Sequence, residues 1–488
     1  MKYTVKPSTK FQKDVKRIQR RGYDISLLTE IIKKLANGET LPEKNKDHNL
    51  GGDYAGCREC HITPDWLLIY EISGESLIFY LTRTGTHSDL FFGRKILSDR
   101  DRAVARGSLH GESKCVLFWR FSMPLQGDQL SRMTIRGFKS IKSCDLSFGK
   151  INVLIGSNGA GKSNFISAFS FLQNILSKNL QVSVGQSGLS SLFYNGREGT
   201  GGIDFEVFFG QNSYGFVLVP TDDNRLIFQK EYFGYHGGWD NESNIGRGHS
   251  ESQWESGAHN GIDDYVVPTL RKQNWRVYHF HDTGKGARVK QEHNISNNKM
   301  LLYDAANLAA FLYRLKNFFK PNYDEIVETI RLVAPYFDDF VLEPQEGNEE
   351  QIVLRWRQAG CEDIFNASQL SDGTLRFICL TTLFLQPHEL QPATIIVDEP
   401  ELGLHPYAIT IFSEIVRQLS NEKQIIISTQ SVELLNEFDV EDVIVVDRSD
   451  TGSEFRRLDP EQLKLWLDGD YTLGDLWKKN VLGGRLSK

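Results

Sequence analysis

Residues 156–163, Gly-Ser-Asn-Gly-Ala-Gly-Lys-Ser, constrain this chain more than any other stretch. They fit the pattern G-x-x-x-x-G-K-[ST], a turn whose glycines let backbone amides close on phosphate, and such a turn has to sit between a strand and a helix. Both neighbours suit. Ile151 to Ile155 reads as a short apolar strand, and Phe165, Ile166, Phe169, Leu172, Ile175 and Leu176 recur at helical spacing. The expectation is a nucleoside triphosphate cradled by Gly156, Ser157, Asn158, Gly159, Ala160 and Gly161, with Lys162 on the β- and γ-phosphate oxygens and Ser163 on Mg2+. A glycine-rich turn that binds nothing is the alternative, and three further elements weigh against it.

The first is Ala393 to Val397, a near-continuous apolar run that ends in Asp398-Glu399-Pro400, as a central parallel strand covered on both faces would. Two carboxylates at a strand's end can divide labour: Asp398 in the Mg2+ shell, Glu399 polarising the attacking water. A second apolar strand, Gln424 to Ser428, ends in Thr429-Gln430-Ser431 and repeats the geometry. The third element, Leu370 to Arg376, precedes a predicted helix over 375–385 and puts Ser371 and Gly373 at its amino end, an anion site by geometry. Taken alone, Ser-Asp-Gly is also a common helix N-cap.

Length and composition set the frame for these motifs. At 488 residues the chain predicts two to four domains, and the absence of any run of eighteen apolar residues or an apolar amino-terminal core predicts a cytoplasmic protein without membrane contact. Cysteines at 57, 60, 115, 144, 361 and 379 are scattered, as suits a reducing compartment. Cys57 and Cys60 form C-x-x-C, but no second pair exists and both fall on a predicted strand, so packing is favoured over zinc. The net charge of −7 is unevenly spread: residues 1–132 hold 22 Lys and Arg against 16 Asp and Glu, and residues 133–488 hold 34 against 47. The front suits an anionic partner.

The predicted architecture is multidomain. Residues 1–92 read as a small α+β domain with a strand at 3–5, helices near 8–21 and 24–37, and strands near 56–62, 66–72 and 77–83. Residues 93–132 lack any sustained period and read as a linker, after which Met133 opens a new strand pattern and is itself a possible start of translation. Residues 133–488 then read as an α/β nucleotide-binding domain with an antiparallel β subdomain over 201–232, a polar tract at 234–262 expected to lack structure, and a helical lobe over 304–392 with helices near 304–318 and 323–334. No heptad stretch supports a coiled-coil arm.

In this order the motifs resemble the ATP-binding-cassette ATPases, specifically their RecF-like and SMC-like branch. Leu370 to Thr374 corresponds to the signature loop of that family. Ile135-Arg-Gly-Phe138-Lys139-Ser140 and Asp398-Glu-Pro-Glu401-Leu-Gly403-Leu-His405-Pro406 also look like that branch. The resemblance spans about 133–450 and implies a homodimer that sandwiches two ATP molecules, each between the phosphate loop of one copy and the signature loop of the other. Gln430 stands where many relatives carry a switch histidine, which predicts slow hydrolysis. A Q-loop glutamine is not found between 171 and 230.

The front domain carries His48, His61, Asp65, Arg83 and His87. Imidazoles that titrate near neutrality and a permanent guanidinium cation suit RNA cleavage through the 2′-hydroxyl, although scattered surface histidines would look the same. Lys46-Asp-His48, Arg58-Glu-Cys-His61-Ile-Thr-Pro-Asp65-Trp66 and Arg83-Thr-Gly-Thr-His87-Ser-Asp-Leu-Phe91 resemble the YafQ branch of the RelE-type toxins over all of residues 1–92. That resemblance implies a ribosome-dependent mRNA endonuclease silenced by a DinJ-like antitoxin. It assigns His48, His61, Asp65 and His87 to acid/base work, Arg83 to charge stabilisation and Phe91 to base positioning. The combined expectation is an ATP-gated ATPase fused to a ribonuclease toxin in a toxin–antitoxin or phage-defence role, with a separately encoded nuclease as a conceivable partner. The alternative is an ATP-dependent DNA-binding repair protein with an inactive toxin-like passenger; the acidic balance of residues 133–488 weighs against it.

Overall fold

Strands that read as unbroken apolar runs need cover on both faces, and the larger part of this chain supplies it. The computed structural model describes residues 3–7, 11, 14–15, 18–19, 23–49, 57–63, 66–73, 78–85 and 129–483, the last stretch with gaps at 198, 238–240, 257–260, 272–274, 346 and 469–470. They divide into two compact units, Met1–Ser122 and Met123–Lys488.

The second unit is built on a six-stranded sheet in the order Trp275–Tyr278, Thr394–Asp398, Gln424–Thr429, Ile151–Ile155, Val443–Ser449, Gly452–Arg457. The first five strands run parallel and the last returns as a hairpin. Successive side chains alternate between faces. Val153, Ile395, Val397, Ile425 and Ile427 therefore join one core, with the helices Leu308–Phe318, Lys320–Val333, Asp372–Leu385 and Pro406–Leu419. Leu154, Ile396, Ile426, Ile444 and Val446 join another, with the helix Lys162–Leu176 and a second, antiparallel sheet. That sheet orders its strands Asn241–Gly246, Leu226–Tyr235, Asn212–Pro220, Ile203–Phe209, Arg132–Phe138, Ile141–Ser147.

The polar tract expected to lack structure is largely folded. Asn241–Gly246 is a strand, and Ser243, Ser252 and Trp254 are buried. Two carboxylates, buried Glu231 and half-buried Glu251, hold the tract. Glu231, fully buried, accepts from Tyr214 Oη (2.6 Å), from the backbone N of Gln253 (3.0 Å) and from Ser252 Oγ, and pairs with His249 Nε2 (2.8 Å). Glu251 accepts from the backbone N of Leu180 and Gln181, and Trp254 Nε1 donates to Leu176 O. Composition registers these Ser and His side chains as hydrophilic; their partner Glu231 lies on a neighbouring strand.

Of the predicted linker, residues 93–128 lie outside the described residues. Residues 129–132 belong to the fold: Leu130 is buried, Gln424 Nε2 donates to its carbonyl (2.7 Å), and the first strand begins at Arg132. A product that began at Met133 would lose these contacts. The predicted helical lobe over 304–392 also contains a three-stranded sheet, Phe337–Val341, Arg355–Gln358 and Ile364–Asn366.

The first unit is a five-stranded sheet in the order Thr4–Pro7, Ile78–Gly85, Trp66–Ser73, Arg58–Thr63, His48–Asn49, with the first pair parallel and the others antiparallel. Trp66, Leu68 and Tyr70 alternate onto the face that packs with Phe11, Ile18, Leu28, Ile31 and Leu35. The helix Ile25–Asn37 starts at Asp24, whose carboxylate accepts from the backbone N of Ser26 (2.9 Å), and stops at Gly38, whose φ of 80° suits glycine. Of the helix predicted near 8–21, residues 11, 14, 15, 18 and 19 are described and helical. Cys60 is buried in this core, consistent with packing.

Asp442 closes the short turn Val440–Asp442. Burial, with Asp439 beside it, pushes its carboxyl up to about 7. The unfolded chain has an ordinary value near 4. The folded carboxyl holds its proton more tightly, so its contribution to stability is present below pH ~4 and is lost as pH rises through ~7. Asp442→Asn is expected to raise the thermal midpoint at pH 8, with a ceiling of about 4 kcal/mol, and to give only about a third of that gain at pH 5. Calorimetry at the two pH values checks this; an equal gain at both contradicts it.

Candidate functional site

Five parallel strands end at one edge of the central sheet, and the residues that follow them form the candidate centre. After Ile151–Ile155 the chain turns through Gly156 to Gly161 and enters the helix Lys162–Leu176. The glycines are needed at specific points. A Cβ on Gly156 would stand 2.4 Å from Val446 O, and one on Gly161, at φ 118°, would stand 2.0 Å from Ser453 Oγ. Ser157 is half-buried, Asn158, Gly159 and Ser163 are exposed, and Ala160 is buried. Lys162 is buried, and its Nζ donates to Gly156 O (2.6 Å) and Ser157 O (3.2 Å). Burial holds its ammonium below the usual lysine range, against the opposing pull of Glu399, Asp398 and Glu401.

Those carboxylates come from the strand two places away. Asp398 is buried with its Oδ1 unpartnered, and its Cα partner across the ladder, Ser428, has an unpartnered buried Oγ. Glu399 sits at φ 44°, a left-handed conformation uncommon for a residue with a side chain, and its N–H donates to Ser428 O (2.7 Å). Gln430 Nε2 donates to Glu399 Oε1. The structure therefore brings Lys162, Asp398, Glu399 and Gln430 together at one strand edge. Glu401 is a residue that sequence reading missed: buried, it accepts from Thr429 Oγ1 (2.6 Å) and from the backbone N of Gln430 (3.2 Å), leaves Oε2 unpartnered, and is held above the usual carboxylate range by burial.

Buried polar atoms are almost always hydrogen-bonded. Asp398 Oδ1, Ser428 Oγ and Glu401 Oε2 are exceptions that fall together beside a buried ammonium, which is compatible with a bound phosphate and its divalent cation. These residue types fit a Mg2+–nucleotide complex, for which Asp398 and Ser163 would be the available oxygen donors.

The strand beside Thr394–Asp398 is Trp275–Tyr278, reached only after the whole antiparallel sheet has been laid down. The segment that follows this strand, 279–283, carries His279 and His281 to the same edge as Asp398. His279 Nδ1 lies 3.8 Å from Asp398 Oδ2, and His281 Nε2 lies 2.9 Å from Asp398 O. Burial holds the His279 imidazole below its usual value.

The serine–glycine cap is built as predicted. Ser371 is exposed and its Oγ accepts from Thr374 N (3.1 Å), starting the helix Asp372–Leu385. Arg376, a further residue that sequence reading missed, buries its guanidinium against three carbonyls: Phe280 O (2.9 Å), His281 O (3.0 Å) and Leu402 O. The cap is thereby tied to both segments that flank Asp398. Among the described residues no hydrogen bond or ion pair joins Ser371 or Gly373 to residues 156–163 of the same chain.

In the first unit, His48 stands opposite Glu59 across the antiparallel ladder, and His61 follows Glu59 on the same face of its strand. Glu59 is buried with Oε2 unpartnered and Oε1 3.8 Å from His61 Nε2; burial raises its carboxyl and His48 opposes the rise. Two predicted acid/base residues thus flank a carboxylate that sequence reading did not single out. Arg83 lies on the strand Ile78–Gly85 with Ile69 as its Cα partner. Asp65, His87 and Phe91 fall outside the described residues.

Comparison with known proteins matches both units. A family described as "AAA domain, putative AbiEii toxin, Type IV TA system" covers residues 151–436, and one described as "Bacterial toxin of type II toxin-antitoxin system, YafQ" covers residues 3–92. The mRNA interferase toxin YafQ of Escherichia coli K12 is 42% identical over 85 residues, which are 17% of this chain and 90% of that protein. The chain belongs to both families. It joins a YafQ-type toxin domain to an AAA ATPase domain. A putative YafQ toxin of Haemophilus influenzae is 34% identical over 67 residues, 13% of this chain and 66% of that protein. Among solved structures, YafQ from E. coli BL21(DE3) is 37% identical, covering 18% of this chain and 98% of its own, with a TM-score of 0.18. An SMC head bound to the C-terminal winged-helix domain of ScpA is 17% identical, covering 69% and 99%, with a TM-score of 0.45.

Gly373 gives the cap a steric test. Gly→Ala within a helix ordinarily stabilises by about 1 kcal/mol. Here a Cβ would meet Gly403 O at 2.2 Å, backbone against which little can give. Gly373→Ala is expected to destabilise by about 1–3 kcal/mol in chemical denaturation. A gain in stability contradicts the packing described.

Proposed function

We propose that the AAA domain binds and slowly hydrolyses ATP in a homodimer and thereby governs a ribosome-dependent mRNA endonuclease carried by the YafQ-type domain, in a toxin–antitoxin or phage-defence role. The observation that carries the ATPase reading is the unpartnered Asp398 Oδ1 beside buried Lys162 and the Gln430–Glu399 pair. Amides of residues 157–162 would take the phosphates at the helix amino end. Lys162 would leave the carbonyls of Gly156 and Ser157 for the β- and γ-oxygens. Mg2+, held by Ser163 and Asp398, would neutralise charge that develops on the phosphates. Glu399 would accept the proton of the attacking water. Gln430, donating to Glu399, would hold that carboxylate in place, and as a neutral amide it would respond weakly to γ-phosphate. Ser371, exposed, and Gly373, half-buried, both tied by Arg376 to the segments beside Asp398, would close over the nucleotide of a second copy.

In the toxin domain, His48, His61, Asp65 and His87 would move protons at the 2′-hydroxyl and the leaving oxygen. Arg83 would meet the developing phosphorane charge, and Phe91 would position a base. Ribosome-bound message is the proposed substrate and a DinJ-like protein the proposed silencer; solved relatives include the E. coli DinJ–YafQ complex. Among the described residues no helix is long and apolar enough to cross a membrane.

ATP turnover and ribosome-dependent message cleavage, measured side by side for the full-length protein, test both halves. Lys162→Ala is expected to lower ATP turnover about a hundredfold or more, and His87→Ala to abolish cleavage while leaving ATP turnover at wild-type level. Equal turnover in wild type and Lys162→Ala contradicts the ATPase assignment; equal cleavage in wild type and His87→Ala contradicts the toxin assignment. Gln430→His is expected to raise steady-state turnover, and no increase at all would remove the switch role of that position.

A further inference from the structure

Trp275–Tyr278 runs parallel to the Asp398 strand with Tyr278 paired to Val397, so the next residue, His279, emerges directly beside Asp398. Its Nδ1 is 3.8 Å from Asp398 Oδ2, too long for a hydrogen bond, and its side chain remains 39% exposed. The segment that carries it is fixed from two sides. His281 Nε2 lies 2.9 Å from the Asp398 carbonyl, and the Arg376 guanidinium donates to the carbonyls of Phe280 and His281. On the other side, Asp398, 7% exposed, keeps a second carboxylate oxygen with no partner. An imidazole nitrogen and a carboxylate thus share the strand edge where a nucleotide-bound cation would sit. Among the described residues no three His, Cys, Asp or Glu side chains form a metal site by themselves, so phosphate oxygens would have to complete the shell.

We propose that His279 ligates the divalent cation of the bound nucleotide together with Asp398, and that this site takes Mn2+ in preference to Mg2+. The inference rests on the nucleotide reading above. Two donors to one octahedral ion at about 2.1 Å stand about 3 Å apart when adjacent and about 4.2 Å when opposite. The observed 3.8 Å lies between these two values, so a shift of about half an ångström brings the donors to opposite vertices of one ion. Mg2+ is hard, sheds water reluctantly and selects oxygen donors, whereas first-row transition ions accept imidazole. A histidine in this place therefore discriminates between cations in a way that an amide oxygen would not.

The test uses the full-length protein with ADP and Mn2+. Pulsed electron paramagnetic resonance is expected to show 14N modulation from a directly bound imidazole, to change when histidine is supplied as the 15N form, and to vanish in His279→Gln. Because the isotope experiment reads the wild-type protein, it stands even where the variant fails to fold. ADP affinity supplies a second readout: the ratio of Mn2+-supported to Mg2+-supported binding is expected to fall about tenfold in His279→Gln. Lys162-dependent binding of Mn2+–ADP without a histidine-derived nitrogen signal, or with one that survives His279→Gln, overturns this inference alone. Binding equally weak in wild type and Lys162→Ala overturns the nucleotide reading and the inference with it.

Discussion

The register of five parallel strands is the constraint on which the rest of the ATPase unit depends. Ile155, Val397 and Asp398, Thr429 and Tyr278 reach the same edge of one sheet because their ladders are in step. Whatever follows each strand is delivered to one place: the glycine turn and Lys162, the Asp398–Glu399 pair, Gln430 and His279. A slip of one residue in any strand would also turn its apolar side chains from one core to the other, so packing on both faces enforces the alignment of the site.

Polar groups buried without solvent do the rest of the positioning. Glu401 joins the loop after Asp398 to the end of the neighbouring strand, and Arg376 joins the serine–glycine cap to the segments at 280–281 and 402. Each spans elements far apart in sequence, and each would leave buried unpaired atoms if removed. Three of the unit's unpartnered buried atoms, Asp398 Oδ1, Ser428 Oγ and Glu401 Oε2, gather where the proposed ligand binds. Satisfied polar contacts build the frame of the site, and unsatisfied ones mark the space within it.

Much of this was legible beforehand, for reasons that differ by element. Ile151–Ile155 and the turn after it could be read because glycine spacing and an all-buried strand are local signals, and the observed strand has those bounds. The strands at 394–398 and 424–429 were found the same way. Glu401, Arg376 and His279 were missed because their roles are set by partners about thirty to more than a hundred residues away. The tract at 234–262 misled for a related reason: its Ser and His side chains are bonded to Glu231, a strand residue that composition does not connect with them. In the toxin domain the motif flagged His48 and His61, but the carboxylate between them became visible only when the strands were paired.

The two domains would make one device if nucleotide-driven pairing of the AAA units changed the toxin's access to the ribosome. The central claim is that triphosphate bound at 156–163 in one copy is closed over by Ser371 and Gly373 of another. Sedimentation velocity of the full-length protein, with Glu399→Gln to slow turnover, tests it most directly. The account predicts a monomer without nucleotide and a dimer with Mg2+–ATP or Mn2+–ATP, with the shift lost in Lys162→Ala. An unchanged mass at saturating, Lys162-dependent ATP binding would contradict it.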